Sequence, residues 1–251
     1  MKKRKRKIRI KTGRLAALAA CAAAIILIIA AVVNIHAYFS IPVSDSGSYE
    51  IKGVDVSSYQ GNIDWGTIEK QNIAFAYIKA TEGSSHVDRK FAQNWENIDH
   101  TGIRKGAYHF MSLETSGKAQ AENFISHVDK EHGMLPPVID AELYGNFTAA
   151  NVTADSVQAI LEPLSDTLEK EYGRKPIIYT NRHFYNSYIS GRYDNELWIA
   201  DMSVRQPLDD GKKWTFCQYS ISGQLKGYSG GVKSIDLDVF NGSRMAFFKY
   251  D

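Results

Sequence analysis

The sequence predicts an α/β fold, a modified TIM-type barrel of eight strands with fewer helices than a standard barrel. Short runs rich in β-branched and aromatic residues alternate with amphipathic helical patterns, which is typical of a mostly parallel sheet. The helical patterns weaken after residue 180, so the last strands are expected to be joined by loops, in a (β/α)5(β)3-like order. The chain has 251 residues, 44% of them hydrophobic, and single barrels commonly have about 250 residues around one core.

Eight short runs are predicted to be the barrel strands. Turn-forming or helical sequence bounds each run, as expected for buried strands. In a barrel of parallel strands the carboxyl ends form the functional face, so residues at these ends are the first candidates for a site. The predicted strands are residues 53–57, 74–80, 106–111, 137–142, 176–180, 197–201, 215–220 and 235–240.

Helices are predicted between the early strands. Gly133 and Gly173 follow two of them, at the position where a glycine commonly ends a helix. Pro163 is expected to kink the last one, because proline removes a backbone donor. The predicted helices are residues 88–101, 117–132 and 153–172.

The first fifty residues differ sharply in composition from the rest of the chain. Nine of the 30 Lys and Arg residues lie between Lys2 and Arg14, whereas the first acidic residue is Asp45. Residues 15–33 are 19 consecutive apolar or small residues, a run long enough to cross a bilayer as one helix. Basic residues before such a helix stay in the cytoplasm, which directs the C-terminal body across the membrane.

These features predict a single-pass membrane protein with a cytoplasmic N-terminus and an extracytoplasmic body. A cleaved signal peptide followed by secretion is the alternative, although residues 35–37 match a small-x-small cleavage site poorly. The predicted segments are a basic cytoplasmic tail at 1–14, a transmembrane signal-anchor at 15–36, a linker at 37–49 and the barrel domain at 50–251.

Charge and cysteine content exclude several classes of function for the body. Beyond Arg14 there are 21 basic and 28 acidic residues, which argues against nucleic acid as a partner. Cys21 lies in the predicted membrane segment and Cys217 is alone in the body, where we expect a buried thiol. No metal-binding spacing of His and Cys and no Gly-rich phosphate loop occurs, so neither a metal nor another cofactor is expected. His109 is expected to be a hydrogen-bonded strand residue.

Acidic residues recur at or near the ends of the predicted strands. Surface charge normally scatters over helices and loops, so several acids at one rim of a barrel indicate a site. Glu82 fits a structural role at the end of the second strand about as well as a catalytic one. The acids are Asp55, Glu82, Asp140, Glu142, Asp201, Asp236 and Asp238.

The segment Asp140-Ala141-Glu142 is the strongest candidate for chemistry. In a strand, side chains two residues apart point to the same side, so both carboxyls face one way and Ala141 faces the other. Two carboxyls this close cannot both ionise freely, and one pKa is expected to rise. Glycoside hydrolysis needs such a division between a proton donor and a charged partner. We predict Glu142 as the proton donor.

Aromatic residues in the strands fit a carbohydrate ligand, because sugars bind against aromatic faces flanked by hydrogen-bonding groups. Any one of these rings alone fits a core position at least as well. The rings are Tyr77, Tyr108, Tyr179, Trp198 and Tyr219.

Eight ordered motifs cover the body, one on each predicted strand. They are GVDVSSYQG at 53–61, YIKATEG at 77–83, GAYHF at 106–110, PPVIDAE at 136–142, IYT at 178–180, LWIAD at 197–201, QY at 218–219 and IDLDVF at 235–240. In this order they resemble the Chalaropsis-type lysozymes of glycoside hydrolase family 25. Two departures are Met202, where the family often has an aromatic residue, and Asp238, where it commonly has Asn.

The resemblance implies a muramidase that cleaves the β-1,4 bond between N-acetylmuramic acid and N-acetylglucosamine in peptidoglycan, with retention of configuration. It implies Glu142 as general acid/base, and Asp140 either as nucleophile or as the group that holds the substrate's acetamido group during attack. Asp55 and Asp236 would be accessory acids in the cleft. The implied sugar contacts are Tyr108, Tyr179, Trp198, Asp201, Gln218 and Tyr219.

Two other functions stay open at this point. The body could hydrolyse chitin or another N-acetylated glycan, or it could be a non-catalytic peptidoglycan-binding module. The binding module predicts loss of one of the paired acids, and both Asp140 and Glu142 are present. The expected partners are peptidoglycan strands and the membrane, with a monomeric catalytic domain and no nucleic acid.

Overall fold

The structure, a computed structural model, describes residues 49–250. The predicted cytoplasmic tail, the membrane helix and all of the linker except Tyr49 lie outside the described residues. Within residues 49–250, no helix is both long and apolar enough to cross a membrane.

Short strands alternate with helices along most of the described chain. The strands are β1 (Lys52–Val56), β2 (Phe75–Glu82), β3 (His86–Val87), β4 (Arg104–Phe110), β5 (Val138–Asp140), β6 (Ile177–Asn181), β7 (Leu197–Ala200), β8 (Phe216–Gly223) and β9 (Ile235–Phe240). The α-helices are α1 (Trp65–Glu69), α2 (Phe91–Asn97), α3 (Gly117–Ile125), α4 (Ala154–Tyr172), α5 (Arg182–Phe184) and α6 (Arg244–Phe248). Short 3-10 helices cover Ser58–Gln60 and Ile98–His100, and a π-helix covers Tyr185–Ile189.

Eight of these strands close into a barrel, in the order β1-β9-β8-β7-β6-β5-β4-β2, with β2 pairing back to β1. Every predicted strand is present, which confirms the eight-stranded barrel. The two-residue β3 is additional and pairs only with the end of β2, where Glu82 lies opposite His86.

The last three barrel strands are joined without helices, as predicted. A loop connects β7 to β8, and β8 continues to β9 as an antiparallel pair. All other neighbouring strands of the barrel, from β1 and β2 round to β7 and β8, pair in parallel. Strand β9 is antiparallel to both of its neighbours, β8 and β1. The residues at the start of β9 therefore lie at the same rim as the ends of the parallel strands.

Alternation along the strands separates two layers of the core. Inside the barrel lies an aromatic-rich cluster built from Phe75, Tyr77, Trp198, Phe216 and Phe240. Outside it, the aliphatic residues of the same strands pack against the helices. Glycine makes room for the inner rings, because a Cβ atom on Gly106 would lie 2.3 Å from Cε1 of Tyr77.

The predicted helices are present with different lengths. The helix α4 begins after the capping residue Thr153 and continues through Pro163. Gly173, with a φ of 75°, caps its C-terminal end. The prediction that the preceding helix extends to residue 132 is wrong, because α3 ends at Ile125. The side chains of Ser126 and His127 bond to the carbonyl of Asn123 there, which offers the backbone an alternative to the next helical turn.

Candidate active site

A cleft of about 230 Å³ opens at the rim where the parallel strands end. Acidic and aromatic side chains from six of the barrel strands reach it. The lining residues are Asp55, Val56, Ser57, Tyr59, Gln60, Lys79, Tyr108, Phe110, Asp140, Glu142, Tyr179, Trp198, Gln218 and Asp236.

The pair Asp140 and Glu142 lies on one wall of this cleft. Backbone bonds extend the β-like geometry just past β5, because Met111 N donates to Asp140 O at 2.9 Å and Ala141 N donates to Tyr179 O at 2.9 Å. Ala141 is buried in the outer core. Both carboxyls therefore face the cleft and Ala141 faces away, as the sequence predicts.

The two carboxyls of this pair differ in depth. Burial and then the charge of Glu142 raise the pKa of Asp140 well above its ordinary value, and burial also raises the pKa of Glu142. Among the described residues, Asp140 Oδ1 has no hydrogen-bond partner. The sequence led us to expect one raised pKa in this pair, whereas both are raised in the structure because both carboxyls are largely removed from solvent.

Lys79 is a cleft residue that the sequence analysis missed. Its ammonium is the one cation lining the cleft within the described part of the chain, and it lowers the pKa values of both Asp140 and Glu142. The alternation in β2 contains the signal for it, because Phe75 and Tyr77 point into the barrel and Lys79 follows in the same phase.

A second group of acids lies across the cleft. Asp55 on β1 is directly opposite Asp236 on β9 in the sheet. The amide Nε2 of Gln218 donates to Asp55 Oδ2 at 2.7 Å and to Asp236 Oδ2 at 3.3 Å. Asp238 is two residues further along β9 and is fully buried. The antiparallel direction of β9 brings these acids together.

Burial sets the protonation of this second group. It raises the pKa of Asp236 to about 6. Burial and then the charge of Asp236 raise the pKa of Asp55 well above its ordinary value, against a lowering effect of the hydrogen bond from Gln218. Near neutral pH the cleft therefore holds fewer negative charges than its count of carboxyls.

Three of the predicted aromatic contacts line the cleft, namely Tyr108, Tyr179 and Trp198. The ring centroids of Tyr179 and Trp198 are 4.8 Å apart in an edge-to-face arrangement. The hydroxyl of Tyr179 also donates to Gln218 Oε1 at 2.9 Å, which orients the amide that holds the second group of acids. Tyr77 lies in the barrel interior below the cleft.

Two predicted sugar contacts, Tyr219 and Asp201, lie outside the cleft. Tyr219 is adjacent to Gln218 in β8, so alternation turns its ring to the outer core. Asp201 follows the outward-facing Ile199 in the same phase, and it pairs with Arg182 at 2.5 Å. Neither residue lines the cleft in the structure, and their contact with a bound sugar stays a prediction.

His109 and Cys217, for which the sequence predicts structural roles, are both buried in the fold. His109 is buried, with Nδ1 2.7 Å from the Thr81 hydroxyl and Nε2 3.0 Å from Gln120 Oε1, and burial lowers its pKa to about 4. Burial raises the pKa of the Cys217 thiol, which is fully enclosed. Within residues 49–250, no group of three or more His, Cys, Asp or Glu side chains could hold a metal ion.

One wall of the cleft consists of residues that are not acidic and that the sequence did not predict as site residues. Ser57, Tyr59 and Gln60 follow β1, and Gln60 Oε1 accepts from the Ser57 amide at 2.9 Å. Tyr59 is 68% exposed, an unusual position for an aromatic ring. Exposed aromatic faces of this kind are surfaces against which sugar rings bind.

The model of glycosyl hydrolases family 25 matches residues 54–228 of this chain. The chain belongs to this family. It is 34% identical over 209 residues to the N,O-diacetylmuramidase of Chalaropsis sp, covering 78% of this chain and 99% of that protein. It is 33% identical over 214 residues to lysozyme M1 of Streptomyces globisporus, covering 80% of this chain and 70% of that protein.

A solved family 25 glycosyl hydrolase from Bacillus anthracis is 48% identical to this chain and superimposes with a TM-score of 0.76, covering 81% of this chain and 94% of that one. The family and the fold expected from the sequence motifs are confirmed. The chain is therefore a glycoside hydrolase, and the cleft described above is its candidate active site.

Proposed function

We propose that this glycoside hydrolase is a muramidase that cleaves the β-1,4 bond between N-acetylmuramic acid and N-acetylglucosamine in peptidoglycan. The observation that carries the proposal is the pair Asp140 and Glu142 on one wall of an aromatic-lined cleft. Relatives named lysozyme and muramidase support the same substrate class.

Glu142 is the general acid and base in this proposal. It is the more exposed of the two carboxyls, and burial raises its pKa, which keeps a proton available to the leaving sugar oxygen. After the bond breaks, the resulting carboxylate takes a proton from the attacking water. Lys79 stabilises that carboxylate.

Asp140 acts at the anomeric centre by one of two routes. It attacks the anomeric carbon directly, or it accepts a hydrogen bond from the substrate's acetamido N–H while the acetamido oxygen attacks. The oxygen Oδ1, which has no partner among the described residues, supports either contact with the sugar. Both routes give net retention.

The experiment that tests this function is analysis of the products from purified peptidoglycan. The expected new reducing end is N-acetylmuramic acid, detected by mass spectrometry after borohydride reduction. N-acetylglucosamine at the new reducing end would instead make the enzyme a glucosaminidase and contradict the proposal. Chitin oligomers serve as the comparison substrate, and faster cleavage of chitin than of walls would favour the alternative glycan.

We further propose that residues 15–36 hold the enzyme in the membrane with its monomeric catalytic domain on the outer side. The apolar run and the basic residues before it support this topology. In cell fractionation, the full chain is expected in the membrane fraction with an intact N-terminus. A soluble product that begins after residue 36 would show that the segment is a cleaved signal. Light scattering of the detergent-solubilised chain tests the monomer.

A further inference from the structure

The carboxyl of Asp238 has an unusual environment inside the barrel. The residue is fully buried, and its Oδ1 accepts a hydrogen bond from Trp198 Nε1 at 2.8 Å. Among the described residues, no donor contacts Oδ2. An ionised carboxylate in this position would leave one charged oxygen without compensation, which is costly in a buried site.

Among the described residues, the charged groups that act most strongly on Asp238 are both acids, so they offer no balancing cation. Asp55 faces it from β1, and Asp236 faces it from its own strand β9. The other titratable groups that feel its charge are one thiol and two phenols on β8 and β6, and all three are neutral. The nearby amide of Gln218 is already engaged, since Nε2 donates to Asp55 and Asp236. Those neutral groups are Cys217, Tyr219 and Tyr179.

The geometry leaves one arrangement that satisfies both oxygens. With a proton on Oδ2, Asp238 becomes a donor, and the carboxyl of Asp55, its diagonal neighbour in the β1–β9 ladder, is placed to accept the bond. We propose that Asp238 is a protonated positioning residue at neutral pH, whose carboxyl donates a hydrogen bond from Oδ2 to Asp55 and so fixes the Asp55 carboxylate toward the cleft.

The pKa of Asp238 is shifted in the direction that this arrangement requires. Burial, and then the charges of Asp55 and Asp236, raise the pKa of Asp238 well above its ordinary value. Burial and then the charge of Asp236 raise the pKa of Asp55 as well, and the hydrogen bond from Asp238 opposes part of that rise. In the proposed pair Asp238 is the neutral donor and Asp55 the acceptor, and Asp238 acts only through Asp55 because it lies outside the lining of the cleft.

The protonation state can be tested directly on the full-length wild-type protein. With 13C at the aspartate side-chain carboxyls, the resonance of Asp238 is assigned by its loss in Asp238→Asn. We expect the chemical shift of a protonated acid through pH 7, with ionisation only in the alkaline range. The chemical shift of a carboxylate at pH 7 would overturn the proposal, and this measurement does not depend on the substrate or on activity.

The positioning role is tested by two variants, and this part rests on the proposed function. Asp238→Asn keeps an acceptor for Trp198 and a neutral donor for Asp55, so kcat/KM on peptidoglycan is expected within about twofold of wild type. Asp238→Leu has similar volume but no donor, and loss of a hydrogen bond to a charged group is expected to lower kcat/KM by about ten- to hundredfold. Equal activity of the two variants, with near-ultraviolet circular dichroism confirming their folds, would contradict the role.

The pH profile separates positioning from a charge effect. If Asp238 is already neutral, Asp238→Asn leaves the charge near Asp55 and Asp236 unchanged, and the acid limb of the kcat/KM profile stays in place. If Asp238 were an anion, its removal would lower the pKa values of those neighbours and move the acid limb to lower pH. Such a movement would overturn the proposal while leaving the muramidase assignment intact.

Discussion

Lys79 Nζ lies 2.6 Å from Glu82 Oε2, and the same ammonium lies 4.9 Å from the ring centroid of Phe110. This ion pair fits the structural role that the sequence allows for Glu82. Glu82 lines a neighbouring pocket of about 350 Å³ and lies outside the lining of the candidate active-site cleft. Glu82 holds Lys79, which acts on both of the paired acids, and after burial and the nearer charges its own charge also raises the pKa of Asp140.

Replacing Lys79 with Met is expected to move the acid limb of the pH–activity profile to higher pH. The lysine lowers the pKa values of Asp140 and Glu142, so its loss lets burial raise both of them further. The measurement is kcat/KM on soluble peptidoglycan fragments as a function of pH. Lys90→Met is the control, because Lys90 binds Asn62 and Gln93 at the surface. An unmoved acid limb in Lys79→Met would show that the lysine does not tune the pair.

Glu142→Gln is expected to lower the hydrolysis of cell walls by roughly 10²- to 10⁴-fold, because it removes the proton donor while changing little volume. The melting temperature should stay near that of wild type. Turbidity loss of a wall suspension gives the rate, and Glu114→Gln, at an exposed position, is the matched control. Near wild-type hydrolysis by Glu142→Gln would remove Glu142 from the mechanism. Asp140→Asn is expected to be severely impaired as well.

Asp201→Asn is expected to lower thermal stability without raising KM. Burial raises the pKa of Asp201, but the stronger combined effect of hydrogen bonds from Ser203 and Arg182 lowers it below its ordinary value. A lowered pKa in the folded state means that this stabilisation is present at neutral pH and is lost as the pH falls through the acid range. The melting temperature of the variant should therefore be below that of wild type at pH 7, and the two should converge in acid. A raised KM would return Asp201 to the substrate site.

Gly117→Ala is expected to destabilise the fold by roughly 1–3 kcal/mol, the usual cost of overpacking. A Cβ atom at Gly117 would lie 1.9 Å from the carbonyl oxygen of Ile160, so α3 and α4 would have to move apart. Denaturant unfolding measures the loss. Gly231→Ala is the control, since a Cβ atom there meets nothing within 4 Å. Equal stability of the two variants would show that the helix contact yields at little cost.

The barrel strands were predictable because each is a short buried run with a clear boundary, and the order of the motifs fixed their identity. The helices that follow β1 and β6 were not predicted. Trp65–Glu69 has only five residues, and the π-helix Tyr185–Ile189 has a period that differs from that of an α-helix. Local sequence contains too little periodic signal over such lengths to indicate a helix.

The lining of the candidate site was predictable where strand alternation was applied, and the predicted residues that lie outside it are those for which alternation was not considered. The same-side geometry of Asp140 and Glu142 follows from a period of two, and so does the outward position of Tyr219 beside Gln218. The interior position of Lys79 follows from the same rule. The wall formed by Tyr59 could not be predicted, because it depends on contacts with a loop about 170 residues away in sequence.

The loop that joins the antiparallel strands β8 and β9 can be replaced without changing the strands that hold the acids. This loop, residues 224–234, supports the wall through bonds from Ser229 N to Gln60 O and from Asp64 N to Gly227 O, whereas the acids are held by the strand ladder. We expect a loop transplanted from a related enzyme to shift this wall and to leave the acids in place. The graft must retain Gly230, where a Cβ atom would lie 1.9 Å from the carbonyl oxygen of Tyr59.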